Sequence, residues 1–310
     1  MSAPTIDDYP HALVADGRPG EERRRTIDDI AVNEASGDPD RPLVSIITVV
    51  FNNRRHLDRA MQSVFAQSYR NIEYIVIDGG STDGTVELIR SHAGRLSYWH
   101  SAPDKGISDA FNMGVALARG DYVGLVNSDD WMSPDQVEQG VRALKASNSP
   151  FVFGDLIYYD AQGRPRFVVA GDPCYQEKIW HRMPAMHHPT ALVRLEIYKR
   201  YGLFDISWKI AMDYDWLFRL HRADIHGIHN KNIVGHMGLG GVSDRQNSLS
   251  LYEQRMVCKR YNSPSFIISL LYHFRRFKAF IRIALEKMLP DSNIMALRRW
   301  MNSSLKPPSA

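Results

Sequence analysis

An open, doubly wound α/β sheet, mostly parallel and flanked by helices, is the fold this sequence predicts. Three observations predict it. Apolar, β-branched runs alternate with stretches of helical periodicity, the pattern of strand–helix–strand units. Each of the early runs ends in a polar or Gly-rich cluster, where such sheets bind ligands. Finally, 44% of the 310 residues are apolar, enough for a sizeable core.

The elements follow in order. Residues 1–40 are polar throughout and read as a flexible arm, with a short helix expected around Thr26 to Glu34. Leu43 to Phe51 is a β-branched run with few polar interruptions, the mark of a strand buried on both faces. A helix is predicted through Leu57, Ala60, Met61, Val64 and Phe65. Ile72 to Ile77 is the second strand, a helix follows from Thr85 to His92, and Leu96 to Trp99 is a third, weaker strand. Ile107 to Arg119 reads as a helix with Gly120 as its C-cap. Tyr122 to Val126 is the fourth strand, and Ser133-Pro134-Asp135-Gln136 predicts a capping box opening the next helix. Beyond it, Phe151 to Tyr159 and Arg166 to Val169 suggest a hairpin around Gln162-Gly163. Helices are expected at Arg194 to Tyr201, Asp213 to Arg222 and Arg245 to Tyr261. The main domain is taken as 41–245, with 246–310 a helical extension. Its last helix is amphipathic, with a stripe of Ile267, Leu270, Leu271, Phe274, Phe277, Ile281, Ala284, Leu285 and Met288.

Charge and cysteine usage exclude several classes. The net charge is only +3, but Arg23, Arg24 and Arg25 form one cluster and Arg275, Arg276, Lys278 and Arg282 another. The second lies in an apolar segment, which suits an anionic membrane surface better than nucleic acid. No nucleic-acid-binding motif occurs. Two distant cysteines, Cys174 and Cys258, give neither a disulfide framework nor a metal pair, as expected of a cytoplasmic protein. No signal-peptide pattern and no run of about 20 apolar residues is present, so the expectation is a chain that does not cross the bilayer.

The sharpest chemical signal is Asn127-Ser128-Asp129-Asp130, two adjacent carboxylates just past a strand end. A divalent cation offsets the cost of holding them together, and hard oxygen ligands favour Mg²⁺ or Mn²⁺. Asp78 ends the second strand and opens a loop, GGSTDGT, that matches neither Gly-rich phosphate signature. Lys105 beside a helix N-terminus suits a diphosphate, and Asp109 and Asn112 share one face of that helix. Taken alone, that last segment reads more plainly as a surface turn. Asp213 and Asp215 open a helix within an aromatic environment, where a carboxyl's pKa can be raised for general-base work. The plainer reading is acids stabilised by the helix dipole. His181, His187 and His188 match no zinc spacing, and His236 precedes a Gly-rich stretch read as a loop over the site.

Together, from about Leu43 to Ser243, these segments resemble glycosyltransferase family 2, the inverting enzymes of GT-A fold. PLVSIITVVFN is similar to the family's first strand, IDGGSTDGT to its nucleotide loop and NSDD to its DxD-type motif. DKGISDAFNMG and GGVS resemble a subgroup that assembles bacterial surface polysaccharides. The resemblance implies that Thr48 and Asp78 contact the base and ribose of the donor. Val50, Asn52, Lys105, Asp109 and Asn112 would join them in lining the nucleotide sugar. Asp129 would hold the ribose or sugar, Asp130 the metal, and Asp213 would be the catalytic base. Met212 stands where the family has Glu, which leaves Asp215 as a fallback base. The QxxRW motif of processive members is missing, so single-sugar transfer is expected. UDP is favoured as the nucleotide by the resemblance alone. The acceptor would be a saccharide, free or lipid-linked. The stretch 264–289 suits either the inner face of the cytoplasmic membrane or a partner copy in a homodimer. Two other functions compete: a sugar nucleotidyltransferase, and a non-catalytic nucleotide-sugar-binding scaffold at the membrane. The first would carry a Gly- and Lys/Arg-rich loop where this chain has Asn52-Asn53-Arg54-Arg55, and the second has no need of a full set of carboxylates.

Overall fold

A computed structural model describes residues 3–9, 41–239, 246–261, 265–286 and 305–306. The expected helix at Thr26 to Glu34, most of the Gly-rich stretch before Ser243, and Met288 lie outside these residues. The first strand, β1 (Val44–Val50), is buried over its whole length. The period of two explains why: Val44, Ile46 and Val50 face one apolar cluster, and Ile47 and Val49 face another. The first cluster includes Leu57, Met61 and Val64 of α1 (Arg54–Phe65), the helix after β1. The second includes Phe111 and Val115 of α3 (Ile107–Leu117). Each such side chain contributes roughly 1.5–3 kcal/mol on leaving water, so β1 is the axis of the molecule.

Strand β2 (Ile72–Asp78) lies parallel on one side of β1, and α2 (Thr85–Ser91) leads to β3 (Tyr98–Ser101), parallel to β2. On the other side β4 (Tyr122–Asn127) is also parallel to β1. These strands, with their crossover helices, form the parallel, doubly wound half of the sheet. The short β5 (Asp130–Met132) and α4 (Gln136–Ser147) come next. The expected hairpin is present as β6 (Phe151–Tyr159) and β7 (Pro165–Val169), with Gly163 at φ +75° in the turn. Past a one-turn helix, α5 (Tyr175–Lys178), β8 (Leu192–Arg194) fits antiparallel between β4 and β6. Helices α6 (Leu195–Tyr201) and α7 (Met212–Arg222) follow. Strand β9 (Ile228–Gly238) runs parallel to β6 and antiparallel to β5. The chain then enters α8 (Asn247–Arg260) and α9 (Ser265–Glu286), and β10 (Leu305–Lys306) pairs with β7. Among the described residues the sheet has ten strands, with the backbone order β10-β7-β6-β8-β4-β1-β2-β3.

Four local expectations are corrected. Gly120 is not the C-cap of α3, which ends at Leu117 with Ala118 extended. A Cβ on Gly120 would meet the Ser45 nitrogen at 2.6 Å, so Gly120 is there for close backbone packing. The capping box is absent: α4 starts at Gln136, whose side chain donates to the Pro189 carbonyl (2.9 Å), while the Ser133 hydroxyl faces His236 Nε2 (2.8 Å). Residues 3–9 do not trail as an arm. Leu203 N donates to the Pro4 carbonyl (2.8 Å), and the Tyr9 hydroxyl donates to Asp109 Oδ1 (2.7 Å). The predicted apolar stripe of α9 is not its buried face. Ile268 and Tyr272 are buried, while Leu270, Phe274 and Phe277 point outward with Phe266 and Phe280.

One glycine sets the depth of a layer. A Cβ on Gly114 of α3 would meet Ile47 Cγ2 of β1 at 2.4 Å, so helix and sheet lie closer here than any side chain permits.

Candidate functional site

Parallel pairing brings the C-terminal ends of β1, β2 and β4 into line: Val50 stands opposite Asp78, and Val49 opposite Asn127. The loops that follow are stitched together. Gly79 N donates to the Val50 carbonyl (2.9 Å), Thr82 N to Asn52 Oδ1 (2.8 Å), and Asn53 Nδ2 to the Ser128 hydroxyl (2.9 Å). Asn52 takes a left-handed φ of 47°, a conformation asparagine tolerates, to make this turn. Asp78 is fully buried at the centre of the rim. Its carboxylate accepts from Gly80 N (3.1 Å), Ser81 N (2.9 Å), the Ser81 hydroxyl (2.5 Å) and the Ser101 hydroxyl (2.7 Å). Four donors fill the capacity of a carboxylate, so Asp78 shapes this loop.

The acidic turn after β4 is built differently. Asp130 is buried, and Asn127 Nδ2 donates to its Oδ2 (2.8 Å), but its Oδ1 and the Oδ1 of Asn127 have no hydrogen-bond partner. Burial pushes the Asp130 pKa well above the usual carboxylate range, and the neighbouring Asp129 charge adds to this. The nearest compensation is Arg59, whose guanidinium donates to the Asp129 carbonyl (3.4 Å) and lies 3.5 Å over the Trp131 ring. His236 stacks on Trp131 with ring centroids 5.3 Å apart, and burial, then Arg59, pushes its pKa down to about 4. Two orphaned oxygens beside a second carboxylate are the donor set a hard divalent cation takes. The residues therefore fit Mg²⁺ or Mn²⁺. Among the described residues no group of three or more His, Cys, Asp or Glu side chains could hold a metal.

The third wall is the start of α3. Asp104 stands against Gly79, where an added Cβ would meet its Oδ2 at 2.7 Å, and it accepts from Gly106 N (2.7 Å). Burial raises its pKa, with Asp109 and Asp78 contributing. Lys105 is exposed beside the helix start, and its backbone N donates to Asp109 Oδ2 (3.0 Å). Asn112 is fully buried. Its Nδ2 donates to the Phe204 carbonyl (2.8 Å), and its Oδ1 accepts from Phe204 N (2.8 Å).

The fourth wall is the N-terminus of α7. Met212 is buried, and the Ser108 hydroxyl of α3 approaches its Sδ at 2.8 Å. An apolar side chain thus directly precedes Asp213. Asp213, next to it, is partly exposed, and its Oδ1 accepts only from the neighbouring Tyr214 N (2.8 Å). Desolvation pushes its pKa up to about 6. Asp215 is fully buried and held by Arg260 (2.9 Å), Arg219 (3.4 Å) and the Tyr261 hydroxyl (3.1 Å). It is consumed by structure and is not a free base.

The strand ends and the start of α3 bring together Val50, Asn52, Asp78, Lys105, Asp109, Asp129 and Asp130, and Asp213 lies beside α3 through the Met212–Ser108 contact. Two residues expected there are elsewhere. Thr48 is buried inside the sheet with its hydroxyl 3.0 Å from the Tyr74 hydroxyl, and Asn112 is locked to the Phe204 backbone. Neither presents a free polar atom to a ligand. His187 and His188 are likewise core residues, pushed down to about 4 by burial. Sequence reasoning missed Arg59, which had no signal beyond a charge on the outer face of a helix. It also missed Glu253, whose carboxylate accepts from Lys209 N (3.1 Å), Ile210 N (2.8 Å) and Ala211 N (2.9 Å) just before Asp213.

Comparison with known proteins agrees with this architecture. Residues 45–210 match the profile of "Glycosyl transferase family 2". An uncharacterized glycosyltransferase of Mycobacterium tuberculosis is 35% identical over 185 residues, 57% of this chain and 68% of that protein. One of Rickettsia typhi is 30% identical over 196 residues, 59% of each chain. This chain thus spans about six tenths of the Rickettsia relative's length. Among solved structures, Staphylococcus aureus TarS 1–349 in complex with UDP-GlcNAc superposes with a TM-score of 0.56 at 16% identity, over 75% of this chain and 73% of that one. The mannosyltransferase PcManGT of Pyrobaculum calidifontis, in complex with GDP-Man and Mn²⁺, gives 0.55 at 17% identity, over 84% and 76%. The sheet is that of the GT-A glycosyltransferases, and the chain belongs to glycosyltransferase family 2.

Proposed function

We propose that this chain transfers a single sugar from a nucleotide diphosphate sugar, a UDP-sugar in the first instance, to an acceptor hydroxyl with inversion, in the assembly of a surface polysaccharide. One observation carries the reading. A carboxyl raised to about 6 and, among the described residues, without a cationic partner, Asp213, opens the helix whose first turn meets the start of α3 through Met212 and Ser108, while the buried Oδ1 of Asp130 is unpaired. These are the complementary requirements of the reaction: a base near neutrality, and an anionic socket for a metal that binds the leaving group.

Asp213 accepts the acceptor hydroxyl's proton as that oxygen bonds to the anomeric carbon, on the face opposite the departing diphosphate. The bond from that carbon to the diphosphate breaks in the same step, so no sugar–enzyme adduct forms. Asp130, with Asp129, would hold Mg²⁺ or Mn²⁺, which supplies Lewis-acid stabilisation of charge on the diphosphate. Lys105 and the α3 N-terminus are placed to add positive potential on the same side. Asn52 and the loop shaped by Asp78 line the nucleotide end. The outward stripe of Phe266, Leu270, Phe274, Phe277 and Phe280, flanked by Arg276 and Lys278, supports an acceptor presented at an anionic lipid surface.

Titration of UDP with and without Mn²⁺ tests the core of this reading. Each ligand is expected to tighten the other, and Asp130→Ala to abolish the coupling together with nucleoside diphosphate release from a panel of nucleotide sugars. Equal UDP affinity with and without Mn²⁺ in the wild type would leave only a binding scaffold.

A further inference from the structure

The helix α8 lies beyond the matched family region, yet it grips the segment that carries Asp213 at three points. The Glu253 carboxylate, buried at 5% exposure, accepts three consecutive backbone N–H groups, from Lys209, Ile210 and Ala211. Ala211 is the N-cap of α7 and Lys209 and Ile210 run directly into it, so the carboxylate sits at the positive end of the helix dipole. Seven residues on, Arg260 bridges Asp205 (2.7 Å) and Asp215 (2.9 Å), on either side of that segment. Tyr261 adds its hydroxyl to Asp215 (3.1 Å). On the opposite side, Ser108 of α3 bonds the Trp208 carbonyl (3.1 Å) and Met212 Sδ. The first turn of α7 is therefore fixed from α3 on one flank and from α8 on the other. Asp213 itself has only its neighbour's N–H to hold it.

We infer that Glu253 is a positioning residue for the base: through the 209–211 backbone it holds the first turn of α7 so that Asp213 keeps its desolvated place. This rests on Asp213 being the base. It assigns α8 to the reaction machinery rather than to an appendage, and it explains why a buried carboxylate is spent on three backbone N–H groups. The physical demand is specific. Both carboxylate oxygens are used, Oε1 by Lys209 and Oε2 by Ile210 and Ala211. Glutamine can satisfy one side only, because its NH₂ would then face a donor. Aspartate is one methylene too short to span all three.

The test uses the full-length chain with Mn²⁺ and the nucleotide sugar that gives the fastest diphosphate release. Glu253→Gln is expected to lower kcat about tenfold or more while leaving the KM for the donor, and UDP–Mn²⁺ binding, within about twofold. As the turn loosens, Asp213 gains water, so the acidic limb of the rate–pH profile should move down from about 6 toward the ordinary carboxylate range. Hydrogen exchange at the amides of 209–211 should speed up in step. In an Asp213→Asn background, Glu253→Gln should cost nothing further, since it acts through Asp213. An unchanged kcat and unchanged acidic limb in folded Glu253→Gln, with Asp213→Asn inactive, would overturn this inference and leave the base assignment standing. Retained turnover in Asp213→Asn alone would instead remove the base assignment. If both Glu253→Gln and Glu253→Asp failed to fold, Glu253 would be a stability residue and the inference would also fall.

Discussion

Asp213 and Asp215 stand two residues apart on one helix and have opposite surroundings. Asp215 is enclosed by Arg260, Arg219 and Tyr261, while Asp213 has no cation among the described residues and is lifted to about 6 by desolvation. Two residues turn a helix by about 200°, which puts the two acids on opposite faces, and sequence alone ranks them by motif, not by partner. The raised value has a stability consequence whose sign is fixed. A folded-state pKa above the unfolded value near 4 means the folded chain holds this proton more tightly. The associated stability is therefore present below about pH 4 and lost as pH rises through about 6. Asp213→Asn should remove this cost, raising stability at pH 7 by on the order of 1–2 kcal/mol after allowance for partial exposure. The gain should vanish below about pH 4. Thermal unfolding of both proteins across that range checks it, and a variant less stable at pH 7 would count against a desolvated Asp213.

At the level of elements, legibility followed the source of each element's stability. β1, β2 and β4 are largely apolar because both faces are covered, so composition alone identified them within a residue or two. β9 was missed: Asn230, Lys231 and Asn232 break any strand pattern, and its pairing with β5 and β6 is tertiary. That strand brings His236 to Trp131 beside the acidic turn, so part of the site was invisible with it. The capping box failed for a related reason, since Ser133 found a better partner across the sheet than in its own helix. Rim residues at strand ends were readable, whereas Glu253, some forty residues from the backbone it binds, left no trace in spacing. For α9, periodicity was legible but its partner was not. Its five outward apolar side chains, at 60–78% exposure, together with Arg276 and Lys278, should bind vesicles containing anionic lipid and not neutral ones. Phe274→Ser with Phe277→Ser should reduce vesicle binding at least tenfold in sedimentation. A concentration-dependent dimer that these changes abolish, with no vesicle binding, would assign the stripe to a second copy instead.

For the molecule as a whole, the matched family region ends at residue 210, but the core does not. Val257 and Cys258 of α8 are as buried as any residue of β1 and share a cluster with Phe153, Trp216 and Phe218. A chain ending at residue 245 would expose that surface and release Glu253 and Arg260 from the α7 turn. It should lose cooperative thermal unfolding and bind an exposed-surface dye such as ANS, whereas a chain ending at residue 261 should keep a cooperative transition. Equal melting of the 245-residue chain and the full chain would show α8 to be dispensable.

Gly114 carries a consequence at a distance from its own position. Because α3 rests on β1 with no atom between Gly114 and Ile47, the helix has a fixed height over the sheet, and its leading end carries both Lys105 and the Ser108 contact to Met212. The height of the loop and helix start that carry Lys105 and Ser108 is thus gauged by a methyl group that is not there. A single carbon added at that spot would act as a shim, tilting one jaw of the cleft while every ionisable group kept its identity.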